Sequence, residues 1–216
     1  TNDAPIITNG PDQAALTETN ASLSTSGTLT VSDIDRSNVV NTSKTLVVSG
    51  TSNRTDPAAP SDSNLLSMLS LTANPILSAT EQSDTLTWTF NSGAEVFNYL
   101  RKGETLVLTY TITATDDAST PLSGSNTVTI TITGTNDTPV ITGGGDSAAL
   151  VETNTTLTTS GAITVTDVDT TDTVTAAVTS VALNGSFTTS GSPLPASLGS
   201  AANGYAALKA MLSLSN

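Results

Sequence analysis

An all-β fold, two packed antiparallel sheets closed by short capping helices, is what three features of this sequence predict. Long stretches alternate apolar and polar residues with a period of two, the signature of strands with one buried face. The polar partner in that alternation is mostly threonine, which is β-branched and so suits a pleated backbone while its hydroxyl faces water. Clusters of Gly, Asn, Asp and Pro punctuate the alternating stretches. Leu, Ile, Val and Phe total 49 of 216 residues, under a quarter of the chain. A supply that thin builds a core only when it is well patterned.

In chain order the expected strands are Thr28–Ser32, Thr45–Ser49, Thr85–Asn91, Thr105–Thr115, Thr127–Thr133, Ala162–Thr166 and Thr173–Leu183. The clearest is Thr127–Thr133, where Val128, Ile130 and Ile132 share one face and threonines the other. Thr105–Thr115 aligns Leu106, Leu108, Tyr110 and Ile112, and Thr85–Asn91 aligns Leu86, Trp88 and Phe90. Three short segments read as helical: Asn64–Leu71, Ala94–Leu100 and Ala206–Leu212. None is long enough to persist alone, so they are expected at the ends of a sandwich. Two packed sheets of this kind are immunoglobulin-like. No Cys–Trp–Cys core exists, so Trp88 reads as a packing anchor.

The chain contains an internal repeat. Residues 1–40 align with residues 135–174 at an offset of 134 without a gap, with 23 of 40 positions identical. Leu65–Leu71 matches Leu208–Leu214 at an offset of 143, which places nine extra residues of copy two near the Gly/Ser/Pro-rich stretch Ser186–Ser200. The expected organisation is a complete repeat over 1–134 and a second, truncated copy over 135–216, which lacks a counterpart of Asn74–Gly134. A fragment of a longer array is the preferred reading. A permuted frame starting near Asn74 is the other.

Composition narrows the chemistry. Nineteen acidic residues face six basic ones, for a net charge of −13, and there is no Cys or His. Disulfides, zinc-thiolate or imidazole sites and His-based catalysis are thereby excluded. A net charge of that sign disfavours nucleic acid and anionic membranes, and no apolar run approaches the length of a membrane span. Carboxylates without soft ligands suit hard cations, above all calcium.

Many of the carboxylates recur in register. Asp3, Asp12, Glu18, Asp33 and Asp35 match Asp137, Asp146, Glu152, Asp167 and Asp169. The D-x-D pairs (Asp33 and Asp35; Asp167 and Asp169) follow a strand, where residues two apart point the same way and suit one ion. Between the copies, Asn136 and Asp137 offer oxygen ligands before Pro139. The plain alternative is that an exposed turn Asp is only a turn residue. Asp12, Asp146, Asp56, Asp62 and Asp84 are read that way. The linker Asp and the D-x-D pair together are read as calcium ligands.

These motifs carry a resemblance. Ala114-Thr115-Asp116 ends an alternating strand, TVTITIT follows, and then GTNDTP. That order resembles the end of a cadherin repeat, and more closely the bacterial cadherin-like repeats of the VCBS type found in giant RTX adhesins, which are exported by type I secretion. SGTLTVSDID and YLRKGETLVLTYTITATDD also look like that family. The resemblance implies calcium at each repeat junction. Carried over, the internal junction uses Asn136, Asp137, Asp167 and Asp169, with Glu18 from the base of copy one. The outer end of copy one uses Asn2, Asp3, Asp33, Asp35 and Asp116, with Asp117 adjoining. The cadherin D-R-E motif has no counterpart, and Asp172 is an extra candidate where copy one has Asn38.

The expected function follows: a calcium-rigidified extender of a bacterial cell-surface adhesin, secreted, supporting adhesion and biofilm formation. Its expected partners are calcium ions, neighbouring repeats and distal adhesive domains, with no nucleic acid and no membrane insertion. The rival readings are a glycan-binding or ice-binding module. Few aromatics disfavour the first, and so long a repeat period disfavours the flat solenoid the second needs. Enzymatic activity is not expected, since the adjacent Asp116 and Asp117 would point oppositely on a strand.

Overall fold

The computed structural model describes residues 1–169, 172–182 and 206–214. They fall into two compact units, Thr1–Asp172 and Thr173–Asn216.

The first unit is a β-sandwich. One sheet contains β1 (Ile6–Thr8), β3 (Ser24–Ser32), β6 (Ser83–Asn91) and β5 (Leu69–Leu71), in the order β1-β3-β6-β5. The other contains β2 (Asp12–Thr17), β8 (Ser123–Thr133), β7 (Thr105–Asp116) and β4 (Val40–Gly50), in the order β2-β8-β7-β4. The period-two pattern decides which face is buried. Leu86, Trp88 and Phe90 of β6, Leu106 through Ala114 at alternate positions of β7, and Val128, Ile130 and Ile132 of β8 are all buried. Each Leu, Ile, Val or Phe side chain so removed from water is worth about 1.5–3 kcal/mol. The fold is therefore the expected all-β, immunoglobulin-like sandwich.

One pairing departs from the antiparallel expectation. β2 runs parallel to β8, with Asp12 opposite Val128 and Thr17 opposite Thr133. Asp12 also opens a strand instead of sitting in a turn, and its Oδ2 accepts a hydrogen bond from Trp88 Nε1 at 2.9 Å. That bond ties the sheets together. A Cβ on Gly27 would stand 2.5 Å from both Asp12 Oδ2 and Trp88 Cζ2, so only glycine fits. Trp88 is the packing anchor the sequence suggests, with a polar handle in addition.

The helical expectations are only partly met. α1 covers Asp62–Ser67, capped by Ser61, whose side chain accepts from Asn64 N–H, and Leu69–Leu71 is strand β5. Leu65 is buried, and its carbonyl accepts from the Tyr110 hydroxyl at 2.7 Å. Ala94–Leu100 is not a helix. Phe97 takes a left-handed φ of 62°. The Glu95 side chain accepts from Phe97 N–H, and Ser92 Oγ donates to the Glu95 carbonyl. These local bonds replace the helical ladder in a segment too short to hold one.

Lys44 lies in β4, an edge strand, with Val40, Thr42, Leu46 and Val48 on the same side of the pleat. Its ammonium donates to the Leu69 carbonyl in the opposite sheet, and burial lowers its pKa.

Copy two begins as copy one does. β9 (Val140–Thr142) pairs with β10 (Thr164–Thr166), Thr142 opposite Thr164. Shifted back by the repeat offset, this is the β1–β3 register, in which Thr8 lies opposite Thr30. A Cβ on Gly161 would meet Asp146 Oδ2 at 2.2 Å, as Gly27 meets Asp12. The strand expected over Ala162–Thr166 is thus shorter.

In the second unit, no strand forms over 173–182 of the expected Thr173–Leu183, and Leu183 lies outside the described residues. In copy one the equivalent β4 draws its ladder from β7, and among the described residues no strand pairs with 173–182. Alternation without a hydrogen-bonding partner does not make a strand. The helix expected over Ala206–Leu212 is confined to α2 (Ala206–Lys209). The stretch Ser186–Ser200 lies outside the described residues.

Candidate metal centre

Three of the carboxylate pairs that recur in sequence recur in geometry. Asp3 N–H donates to Asp35 Oδ2 at 2.7 Å, and in copy two Asp137 N–H donates to Asp169 Oδ2 at 2.8 Å. Asp35 N–H donates to Asp33 Oδ1 at 2.9 Å, and Asp169 N–H donates to Asp167 Oδ1 at 3.1 Å. Asn38 N–H donates to the Asp35 carbonyl at 3.1 Å, and Asp172 N–H donates to the Asp169 carbonyl at 2.8 Å. Each D-x-D therefore clasps the backbone of the preceding N-D linker.

This corrects one detail of the sequence reading. Asp33 and Asp35 do not converge as two side chains of an extended strand. The first carboxylate folds back on the second backbone N–H in an Asx turn, the local bond Asp prefers. The intervening Ile34 and Val168 are exposed.

At the outer end of copy one, most acceptors are engaged. Asp116 Oδ2 accepts from Asn2 Nδ2 at 3.0 Å, and its Oδ1 accepts from the N–H groups of Ala118 and Leu122. Asp117 Oδ1 accepts from Val39 N–H. Asn38 Nδ2 donates to Asn2 Oδ1 at 2.8 Å. Asp33 Oδ2 is buried without a partner. Of the six expected residues of this end, Asn2, Asp3, Asp33, Asp35 and Asp116 belong to one network with Asn38, and Asp117 holds the neighbouring Val39.

The internal junction is less satisfied. Glu18 directly follows β2, and its own N–H donates to the Thr133 carbonyl. Its Oε2 accepts from the Thr135 N–H at 3.2 Å and the Thr135 hydroxyl at 2.7 Å. Glu18 Oε1, Asp137 Oδ2 and Asp169 Oδ1 are buried with no hydrogen-bond partner. Glu18 and Asp169 are each 1% exposed and Asp137 is 8% exposed. Burying an unpaired carboxylate oxygen is costly. Asp169 shows the strain: burial pushes its pKa up first, the Asp137 N–H bond opposes that, and the charges of Asp137, Asp172 and Asp167 push it up further. Asn136 Nδ2 donates to the Asp137 carbonyl at 2.7 Å.

A cleft of about 560 Å³ opens beside these groups, lined in part by Glu18, Asn20, Asn98, Asn136 and Asp137. It has no basic lining residue. Among the described residues no three acidic side chains stand together in a way that would hold an ion by themselves. The donor set nevertheless fits a hard cation in kind: all oxygen, anionic, buried and short of positive partners. Sequence reasoning missed Asn98, which it placed in a helix and which no local motif marks, and Asn20, and it named Asn38 only as the counterpart of Asp172.

No family model matches this chain, and no curated protein matches it. Among solved structures it is similar to the ASH/PapD-like domain 7 of human CEP192, with 10% identity and a TM-score of 0.36 over 62% of this chain and 86% of that one. It is also similar to the CooA pilin subunit of enterotoxigenic Escherichia coli, with 14% identity and a TM-score of 0.38 over 61% and 98%. The periplasmic chaperone SfaE gives 10% identity and a TM-score of 0.33 over 61% of this chain and 58% of that chain. At such scores the likeness carries no argument about function.

Proposed function

We propose that the chain is a spacer segment of a secreted bacterial surface adhesin of the cadherin-like, VCBS type, with its repeats joined by calcium. The observation that carries this reading is the recurrence, at the offset of the sequence repeat, of the same three hydrogen bonds between linker and D-x-D turn. A geometry kept across so long an intervening chain marks a repeated junction. Asn136, Asp137, Asp167, Asp169 and Glu18 would hold the ion, with Asp172 beside them. Bound calcium supplies the positive charge that the orphaned oxygens lack. Without it, the acidic side chains repel one another and the junction loosens. With it, the linker is clamped to the turn that follows, and an array of such repeats stiffens.

The described aromatics, Trp88, Phe90, Phe97, Tyr99 and Tyr110, are all buried. They therefore offer no exposed stacking platform for a glycan, which favours a spacer over a binder. No catalytic role is proposed.

The expected result is a higher melting temperature and a larger scattering radius in millimolar calcium than in chelator, since weak extracellular sites fill at that concentration. Equal values in both conditions would falsify the reading.

A further inference from the structure

The carboxylates of the internal junction do not form a cage on their own, so an ion there needs neutral oxygens as well. The structure presents one on an element the repeat motifs do not include. Asn98 lines the same cleft as Glu18 and Asp137. Its Nδ2 donates to Asn20 Oδ1 at 2.7 Å, and its Oδ1 is buried with no donor. Glu18 Oε1 and Asp137 Oδ2, on side chains more than nine-tenths buried, are in the same condition. Three unpartnered atoms beside one cleft are thus all acceptors. Water or an amide would bring lone pairs along with its protons, whereas a metal cation brings only positive charge.

The loop that carries Asn98 is held on both sides. Leu23 N–H donates to Ser92 Oγ at 2.9 Å, and Phe97 N–H donates to Glu95 Oε1 at 2.8 Å. Leu100 N–H closes a turn on the Phe97 carbonyl at 2.9 Å. Phe97, Tyr99 and Leu100 are buried on either side of Asn98. Phe97 keeps a left-handed φ of 62°, a conformation that costs about 1–2 kcal/mol in a non-glycine residue. Strain of this kind persists only where the surroundings over-determine it, and it clusters at ligand clamps. The next residue, Asn98, lines the cleft.

We infer that Asn98 is a neutral ligand of the junction cation, contributed through its side-chain carbonyl by the Ser92–Leu100 loop. The inference rests on the calcium reading of the junction and adds a third element to it, beside the linker and the D-x-D turn. It also ties the conformation of this loop to cation binding.

The test is calcium titration of the full 216-residue chain by calorimetry, comparing wild type with Asn98→Ala and Asn98→Asp, alongside NMR of the Asn98 side-chain amide in the wild type. The alanine variant should bind calcium roughly tenfold more weakly, the scale on which a lost supporting group weakens a metal site. The aspartate variant should bind more tightly than wild type, because it adds ligand charge. The Asn98 amide resonances should move with the calorimetric midpoint. If the wild type binds calcium but the alanine variant binds within twofold of it and the amide does not move, this inference falls and the junction reading stands. The same conclusion follows if the aspartate variant weakens binding as much as the alanine variant does. If the wild type takes up no calcium, both fall together.

Discussion

The two ends of the first repeat are built on the same three hydrogen bonds but differ in what is left over. At the outer end, both Asp116 oxygens, the Asn2 amide and Asp117 Oδ1 are engaged, and one carboxylate oxygen, Asp33 Oδ2, is buried unpaired. At the internal junction three are: Glu18 Oε1, Asp137 Oδ2 and Asp169 Oδ1. Asp3 is exposed whereas its counterpart Asp137 is buried, and the copies also differ at one neighbouring position. Asn38 donates to the linker Asn2, whereas its counterpart Asp172 has no proton to donate and adds another charge near Asp169. A shared motif therefore sets the backbone geometry, while its neighbours decide how many buried acceptors are left without a partner.

The strongest way to break this comparison is to neutralise each end separately. At a hundredfold excess over its dissociation constant, a bound ion adds about 2.7 kcal/mol, or roughly 5–10 °C in a domain of this size. Asp137→Asn with Asp169→Asn should abolish the calcium-induced rise in scanning calorimetry, while Asp3→Asn with Asp35→Asn should leave most of it. Equal losses would erase the distinction between the ends.

A smaller effect should come from exchanging the one differing position. Asp172→Asn should weaken calcium binding several-fold in a titration. The reverse change, Asn38→Asp, removes the bond to Asn2 and should cost about 1 kcal/mol in chelator. An unchanged affinity for the first variant would mean that Asp172 contributes no useful charge.

The mildest effect is a pH slope. The pKa of Asp169 is raised in the folded state. Its contribution to stability is therefore fully present below the ordinary aspartate range and lost as pH rises through the raised value. In chelator, the melting temperature should fall with rising pH over that window, and Asp169→Asn should flatten the slope.

Much of the sandwich is legible in the residues. β6, β7 and β8 announce themselves because each has one face dry and one wet, which forces strict alternation. β1, β5 and β9 are three residues each, too short for a period to show. β2 is hidden differently: its Ala14 and Leu16 are only partly buried against the core, and its parallel partner β8 lies at the far end of the repeat. The D-x-D turns are legible because the bond within each pair is local, whereas the bond from the linker N–H spans 32 residues and shows in the sequence only through the repeat. Asn98 stays invisible because its aim depends on the left-handed turn at Phe97 and on burial by distant strands. The reading of Ala94–Leu100 as a helix failed for the same reason, since side-chain bonds from Ser92 and Glu95 outcompete propensity there.

Lys44 has a consequence for a chain that carries two related copies. Tandem copies that resemble each other this closely sit at high effective concentration, and strand exchange between neighbours is their characteristic misassembly. The outer edge of β4 is covered at Val40 and Thr42 by the Asn74–Leu77 segment, and beyond Thr42 the strand is an open border, long enough to recruit a stranger's strand. A charged residue turned inward on an edge strand blunts such recruitment, because a newcomer would have to bury an ammonium already committed to the opposite sheet. The same lysine that bridges the two layers thus guards the fold of the first copy, whereas the second copy carries Val178 at the equivalent position.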